Sequence, residues 1–270
     1  MTRSEGRAAR IVLDVYIGLF LVYLFAPLVV MSVAAFNAYP YPSVTQWRGF
    51  TLEWFPALFR DERLMRGLFN SIVIALGVIA LSIPFGLAGA LVLHRLQSRA
   101  GGLLYAIMVS PVLMPGLIIG LSTLIFWRHF SVPGGLFLAM VAQASFIASY
   151  CMLMFLARLE RFDLTLEEAA LDLGASKAMV MRRILFPYLR PTAITASAIA
   201  FLQSFENYNT TVFSIGGDWT LVTEVGSRLR FGLSPVVNVV GVVFVVLTVA
   251  VATLYVLLSR RHVASDARAS

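Results

Sequence analysis

An all-α integral membrane protein with six transmembrane helices is the fold class this sequence predicts, on three observations. Apolar residues make up 59% of the 270 and charged residues only 13%, with a mean hydropathy of +0.85; a soluble domain of this length does not carry that composition. Four charge-free runs, Gly67 to His94, Ala100 to Trp127, His129 to Ala157 and Phe231 to Ser259, each exceed the ~20 residues a helix needs to cross a bilayer. Two more segments qualify with one acidic residue each: Ile11 to Phe36 with Asp14, and Pro191 to Phe213 with Glu206.

The expected spans are therefore 11–36, 70–94, 103–127, 136–157, 191–213 and 235–259, in one domain covering 1–270, with a polar loop at 158–190. Six spans put both termini on one side. That side collects most of the 21 Lys and Arg, among them Arg3, Arg7, Arg10, Arg95, Arg99, Arg158, Arg161, Lys177, Arg182, Arg183, Arg190, Arg260, Arg261 and Arg268. Basic residues near span ends stay cytoplasmic, so the termini and the loop are assigned to the cytoplasm. The net charge of +7 is then a matter of topology and calls for no nucleic acid.

The first span follows Arg3, Arg7 and Arg10, and Ser32-Val33-Ala34 resembles a cleavage site. A signal peptide's apolar core is ~7 to 15 residues, and the run from Val15 to Phe36 is longer, so an uncleaved anchor is expected. Outside it, Tyr39-Pro40-Tyr41-Pro42 favours extended or turn backbone. Thr51 is placed to cap a short helix that sets Trp54, Phe55, Leu58 and Phe59 on the bilayer interface, the favoured reading, or against a partner protein. In the third span, Pro111 and Pro115 free backbone carbonyls, and Gly116 and Gly120 let another backbone come close. Cys151 is mid-span and offers no disulfide framework.

The loop reads "TLEEAALDLGASKAMVMRRILFP" from Thr165 to Pro187. Thr165 and Glu168 fit a capping box, with Leu166, Ala169, Ala170 and Leu173 at helical spacing after them. Gly174 stands where a left-handed residue ends a helix, Ser176 can cap a second one, and Pro187 limits that second helix soon after Ile184 and Leu185. Ala178, Met181 and Leu185 share one side of it, away from Lys177, Arg182 and Arg183. The residues alone leave two readings open: the pair caps the protein's own bundle, or it docks a cytoplasmic partner as an amphipathic helix in a groove.

Glu168-Ala169-Ala170, then Gly174, Ile184 and Pro187 at fixed intervals, resembles the EAA signature of permease subunits of ATP-binding-cassette importers; Phe186 replaces the leucine many members carry before the proline. "GFTLEW", "NSIVIAL", "SPVLMPGLIIGLS" and "GLSPVVN" are similar to the spermidine/putrescine-type permeases, particularly the second of their two subunits. The resemblance implies the type I importer permease (MetI-like) fold and a bacterial inner-membrane location. It implies that Glu168, Ala169, Ala170, Gly174, Ser176, Met181, Ile184 and Pro187 form a coupling helix region against an ATPase. The implied partners are a second permease chain, two ATP-binding subunits and an extracytoplasmic solute-binding protein, with lipid around the spans.

No cofactor is expected in this chain. A phosphate-binding loop needs Gly-x-x-x-x-Gly-Lys-Ser/Thr, and the only lysine, Lys177, follows Ser176, so ATP and Mg belong to the partner ATPase and the chain is not expected to be an enzyme. His94, His129 and His262 lack ligand spacing, and no metal is expected.

The densest polar cluster inside a span is "FLQSFENYNTT". A carboxylate at depth costs at least ~2.5 kcal/mol on insertion scales, so Glu206 is expected to face a wet cavity or a partner. On a continuous helix Gln203, Asn207 and Thr210 share a face with Glu206 one step away, and these four are the candidate substrate pathway; Asp14 and Asn238 are weaker candidates. Glu206 can bind an ammonium group of a polyamine. It can equally pair with Arg228 or Arg230, sit neutral, or lie solvated at the outer mouth. The expected function is an importer permease for polyamines such as putrescine or spermidine. The alternatives are a permease for a phosphonate, ferric iron, an inorganic anion or a sugar, and a proton-coupled transporter with Glu206 as its relay.

Overall fold

The computed structural model describes residues 3–41, 43, 45–96, 99–231, 234–250 and 253. Along the chain these form α1 (Arg3–Ala34), α2 (Trp54–Arg60), α3 (Glu62–Arg95), α4 (Arg99–Leu113), α5 (Gly116–Arg128), α6 (Leu136–Leu159), α7 (Thr165–Asp172), α8 (Lys177–Val180), α9 (Phe186–Phe205), α10 (Thr211–Ser214) and α11 (Leu221–Phe231), then α12 (Val236–Ala250). A π-helical turn, Met181–Leu185, joins α8 to α9. The fold is helical as expected; among the described residues the only extended pairing is an isolated bridge between Asn37 and Phe50.

Among the described residues, four helices are long and apolar enough to cross a bilayer: Arg10–Ala34 within α1, α3, α6 and the continuous helix Lys177–Phe205. Helices α4 and α5 pass the same test together but are bent by 103°, so the expected span 103–127 is broken. Pro111 and Pro115 are the cause. Proline lacks an N–H, and it pushes the residue before it out of helical geometry; Met114 closes a tight turn on the Pro111 carbonyl, and Pro115 is extended at φ −57° and ψ 131° before α5 restarts. Of the expected sixth span, 235–259, α12 is the described part; 251, 252 and 254–259 lie outside the described residues, as do Arg260, Arg261, His262 and Arg268.

The expected span 191–213 also differs. Its helix stops at Phe205, Glu206 is the C-cap residue, and Asn207 turns back with its N–H on the Ser204 carbonyl. The Asn207 side chain takes over as a backbone partner, accepting the Thr210 N–H at 3.0 Å, which is how short polar side chains compete with helix. Gln203, Asn207 and Thr210 therefore do not share a helical face.

The chain divides into two compact units, Met1–Glu62 with Ser227–Ser270, and Arg63–Gly226. In the first, Asn37 is a buried hub. Its amide donates to the carbonyls of Ser43 (2.7 Å) and Gln46 (2.8 Å), its Oδ1 accepts the N–H of Tyr39 and Arg48, and its own carbonyl accepts the Trp54 indole N–H at 2.9 Å. Trp54 and the buried Leu58 thus turn inward, against the interfacial expectation, while Phe59 stays exposed. Asp61 and Arg228 form a two-point ion pair at 2.6 and 2.9 Å.

The second unit has its core where α3, α6 and α9 pack. Ile74, Val78, Ile147, Phe155, Leu159 and Leu189 are buried there. Gly86 lets α3 meet α6 backbone to backbone: a Cβ there would lie 2.7 Å from Cys151 Cβ and 2.8 Å from the Met152 nitrogen. Overpacking of this kind costs about 1–3 kcal/mol. Gly86→Ala is therefore expected to lower the apparent Tm of the purified protein, whereas Gly18→Ala, with open space around it, should leave Tm unchanged.

Candidate functional site

The polar loop folds as a helix, a tight turn and a second helix. Its first cap is not the expected Thr165–Glu168 box. Asp163 accepts both the N–H (3.0 Å) and the hydroxyl (2.8 Å) of Thr165, leaving that hydroxyl no role as the cap of α7. Those two bonds, the hydroxyl first, hold the Asp163 carboxyl below the usual carboxylate range. A lowered pKa means the cap is complete above ordinary carboxylate values and is lost only as pH falls through the lowered one.

Helix α7 ends as the glycine signal required. Gly174 has φ +87°, its N–H bonds the Leu171 carbonyl at 2.9 Å, and the Ala175 N–H bonds the Ala170 carbonyl at 3.0 Å. That pair of bonds is a Schellman motif, and it supplies a physical reason for the spacing of Ala170 and Gly174. Ser176 caps α8 as expected, accepting the Met179 N–H at 3.3 Å. Pro187 does not end the second helix. The π-helical turn lies immediately before it, the Phe186 N–H reaches back to Met181 O, and the widened turn lets the helix run on past the proline ring.

The two faces of this element divide between the two readings of the sequence. Val180 and Leu185 are buried, and Met181 and Ile184 pack against the core of α3, α6 and α9. On the other side Glu168, Ala169, Gly174, Ser176 and Pro187 are exposed, along with Leu166, Met179 and Leu173. Leu173 is 89% exposed, an apolar side chain left almost wholly uncovered. The sequence reading used it only as part of the helical period. Arg95 at the end of α3 meets Glu167 at 3.3 Å, a surface pair of small energetic weight.

The four pathway candidates come together by a different route from the expected helical face. Gln203, Glu206, Asn207 and Thr210 line one polar cavity of about 230 Å³, opposite Pro111 and Gly116. The break between α4 and α5 and the break between α9 and α10 thus border the same space. Phe146 and Tyr150 of α6 border it as well. Gln143 lies seven residues into α6, about 10 Å along it at 1.5 Å per residue, and bonds the start of α10, so the cavity is set below the end of the helix.

The Gly116-x-x-x-Gly120 pattern serves this packing within the chain. A Cβ on Gly116 would lie 2.8 Å from the Thr210 hydroxyl, and one on Gly120 would collide with the Thr210 carbonyl. Thr210 is fully buried, and its hydroxyl has no hydrogen-bond partner. Glu206 is exposed to the cavity and forms no ion pair among the described residues: Arg228 pairs with Asp61, and Glu224 pairs with Arg63 at 3.0 Å. Asn238 belongs to the other unit, where its Nδ2 is buried without a partner.

Sequence reasoning missed Gln143. It is fully buried in α6, donates to the Thr211 hydroxyl at 2.7 Å and accepts the Ser204 hydroxyl at 2.5 Å, and so clamps the two sides of the α9–α10 break. A lone glutamine in an apolar run was the signal available. It missed Trp219 too, whose indole donates to the Arg63 carbonyl at 2.9 Å, whose ring lies under the Arg63 and Arg66 guanidinium groups at 4.5 and 5.1 Å, and whose carbonyl accepts from Asn70 at 2.8 Å. This fixes the return segment after α10 on the start of α3. Among the described residues no cluster of His, Cys, Asp and Glu could hold a metal.

Leaving a buried polar group without its partner costs about 1–3 kcal/mol. Gln143→Leu, which strands the Ser204 hydroxyl, is expected to destabilise the protein by that amount in thermal unfolding; Gln203→Leu, at the cavity wall, should change Tm little.

Comparison with known proteins places the chain in a family of transport components. A family described as "Binding-protein-dependent transport system inner membrane component" matches residues 82–266. The spermidine/putrescine transport system permease protein PotC of Haemophilus influenzae is 26% identical over 89% of this chain and 93% of its own. The putrescine transport system permease protein PotI of Escherichia coli K12 is 30% identical over 80% of this chain and 79% of its own. A bacterial ABC transporter that imports the acidic polysaccharide alginate contains a chain with the same fold, at a TM-score of 0.71 and 17% identity over 96% of this chain and 98% of that one. The transport role and the permease fold read from the sequence stand, with the chain a membrane component of a transport system. The chain belongs to the family of inner-membrane components of binding-protein-dependent transport systems.

Proposed function

We propose that the chain is the permease half of an ATP-driven importer for a small polyamine, putrescine or spermidine by chemical type. The observation that carries the reading is the meeting of two helix breaks around one polar cavity with Glu206 at its wall. Discontinuous helices are a recurrent way to present backbone groups to a solute within a membrane. The sign of the charge favours a cation. Helix α9 ends at this cavity and brings about half a negative charge from its dipole, and Glu206 adds a full one. The start of α5 at Gly116 contributes the opposite dipole end, which leaves Glu206 as the surplus. Two of the relatives above are named for spermidine/putrescine and putrescine transport, which agrees with that sign.

In the proposed assembly the chain pairs with a second, similar permease, forming a heterodimer. Two ATP-binding subunits holding ATP and Mg dock on the cytoplasmic face, and an extracytoplasmic solute-binding protein docks outside. Both termini are cytoplasmic. The exposed side of α7 and α8, with Leu173 foremost, seats in the ATPase. The buried side, Val180, Met181, Ile184 and Leu185, passes the motion to the bundle core. Closure of the ATPases on ATP opens the cavity outward to receive solute; release of the products returns it inward.

Two variants test the reading in vesicles carrying the assembled transporter. Glu206→Gln removes the charge and keeps the shape; putrescine uptake is expected to fall at least tenfold at limiting solute, consistent with loss of a charge-assisted bond. Unchanged uptake, or uptake that follows a proton gradient at constant ATP, contradicts the proposal. Gly174→Val forces a β-branched residue to positive φ, a strain of about 1–3 kcal/mol. Uptake should drop while ATP hydrolysis continues, and normal uptake in that variant removes the coupling role.

A further inference from the structure

A second pocket lies between α6 and α9, toward the end of the bundle that carries the α7–α8 loop. It is an open groove of about 400 Å³ lined by Met154, Arg158, Pro191, Thr192 and Thr195. Arg158 is partly buried in the last turn of α6. Its guanidinium lies 4.1 Å above the Tyr188 ring, and the Tyr188 hydroxyl donates to the Arg158 carbonyl at 3.1 Å, so side chain and backbone are both held by one residue of α9. Tyr188 is itself pinned by the Phe162 ring at 5.0 Å.

The Arg158 Nε–H is buried and has no acceptor, and among the described residues no carboxylate pairs with this arginine. An arginine cannot discharge itself by losing its proton, and a buried donor left unmade is costly. The fixed fork of a guanidinium matches the oxygens of a phosphate. Beside it, the apolar walls of Met154 and Pro191 suit the glycerol and acyl portion of a lipid, and the Thr192 and Thr195 side chains line the same pocket. Arg161 and Arg190 are exposed nearby in sequence and add to the positive field. Basic pockets between membrane helices at this level are suited to anionic headgroups.

We propose that the α6–α9 pocket is a binding site for a phosphate-bearing anion, with the Arg158 guanidinium as its anchor and Tyr188 as the residue that positions it. The chemistry is that of a phosphodiester headgroup of an anionic lipid, such as phosphatidylglycerol or cardiolipin, or of a free phosphate. The site does not depend on the solute proposed above. It touches the coupling element through Tyr188, the residue that follows Pro187, so occupancy would brace the joint between the loop and the bundle.

Native mass spectrometry of the assembled, delipidated transporter, titrated separately with cardiolipin, phosphatidylglycerol, phosphatidylethanolamine and inorganic phosphate, tests this. Saturable binding of the anionic lipids or of phosphate is expected, weakened about tenfold in Arg158→Gln, the loss of a charge-assisted contact; binding of phosphate alone identifies a soluble anion as the source, and binding of the lipids alone identifies the headgroup. Binding that is equal in wild type and Arg158→Gln, or absent for every probe, overturns the proposal. Should Arg158→Gln not assemble, Arg158→Lys, which keeps charge and loses the fork and the Nε–H, is expected to weaken binding, and undiminished binding in it counts against the site. Glu206→Gln should bind these probes as wild type does, which separates this site from the solute cavity.

Discussion

A chain that leaves helical geometry inside a membrane protein must find a partner for each amide and carbonyl it frees, because hydrocarbon supplies none. The segment Glu206 to Thr211 meets that constraint partly through backbone carbonyls of α9, which accept the Glu206 and Asn207 amides, and partly through side chains. Asn207 Oδ1 takes the Thr210 amide, the Thr211 hydroxyl takes the Asn207 carbonyl at 2.5 Å, and the Ser214 hydroxyl takes the Thr210 carbonyl at 2.9 Å. Gln143 then bridges Ser204 and Thr211. With these bonds made, the segment holds a defined turn, and the room for it comes from Gly116, whose missing side chain admits the Thr210 hydroxyl, and Gly120, whose missing side chain admits the Thr210 backbone. The cavity exists because both sides of it are irregular and both irregularities are supported from behind.

The same long helix connects that cavity to the loop. From Lys177 to Phe205 the chain is helical throughout, despite Pro187 and Pro191, because the π-helical turn absorbs the first proline's lack of an N–H. One end begins at the Ser176 cap beside the exposed Leu173; the other ends at Glu206. A continuous helix that joins the proposed docking surface to the proposed solute cavity needs no chain of intermediates to link them. Its core contacts with α6, at Leu189, Ala196 and Ala200, are small or aliphatic, which suits sliding or tilting of one helix against another.

Local signals were the readable ones. The Gly174 turn and the Ser176 cap depend on residues within a few positions of one another, and the sequence states both. Where the sequence misled, a neighbour outside the expected window competed: Asp163 took Thr165 and displaced the expected capping box, and Asn207 ended a helix that hydropathy alone carried to 213. The four pathway residues were legible as a polar cluster, yet their convergence rests on Gly116, Pro111 and Gln143, far away in sequence. The glycine pair read as a close-packing site without showing that its partner is Thr210. Gln143 was hidden because a single amide in a charge-free run does not alter the hydropathy that marks a span.

The central claim is that the Glu206 cavity is where solute passes, and chemical access tests it most directly. With Cys151, the only cysteine, replaced by alanine and Gln203 by cysteine, the assembled transporter would be treated with a small cationic thiol reagent, with and without putrescine, in the presence and absence of ATP. The account predicts labelling that putrescine suppresses and that changes with ATP. Labelling indifferent to both putrescine and ATP, in a transporter that still imports, would contradict it.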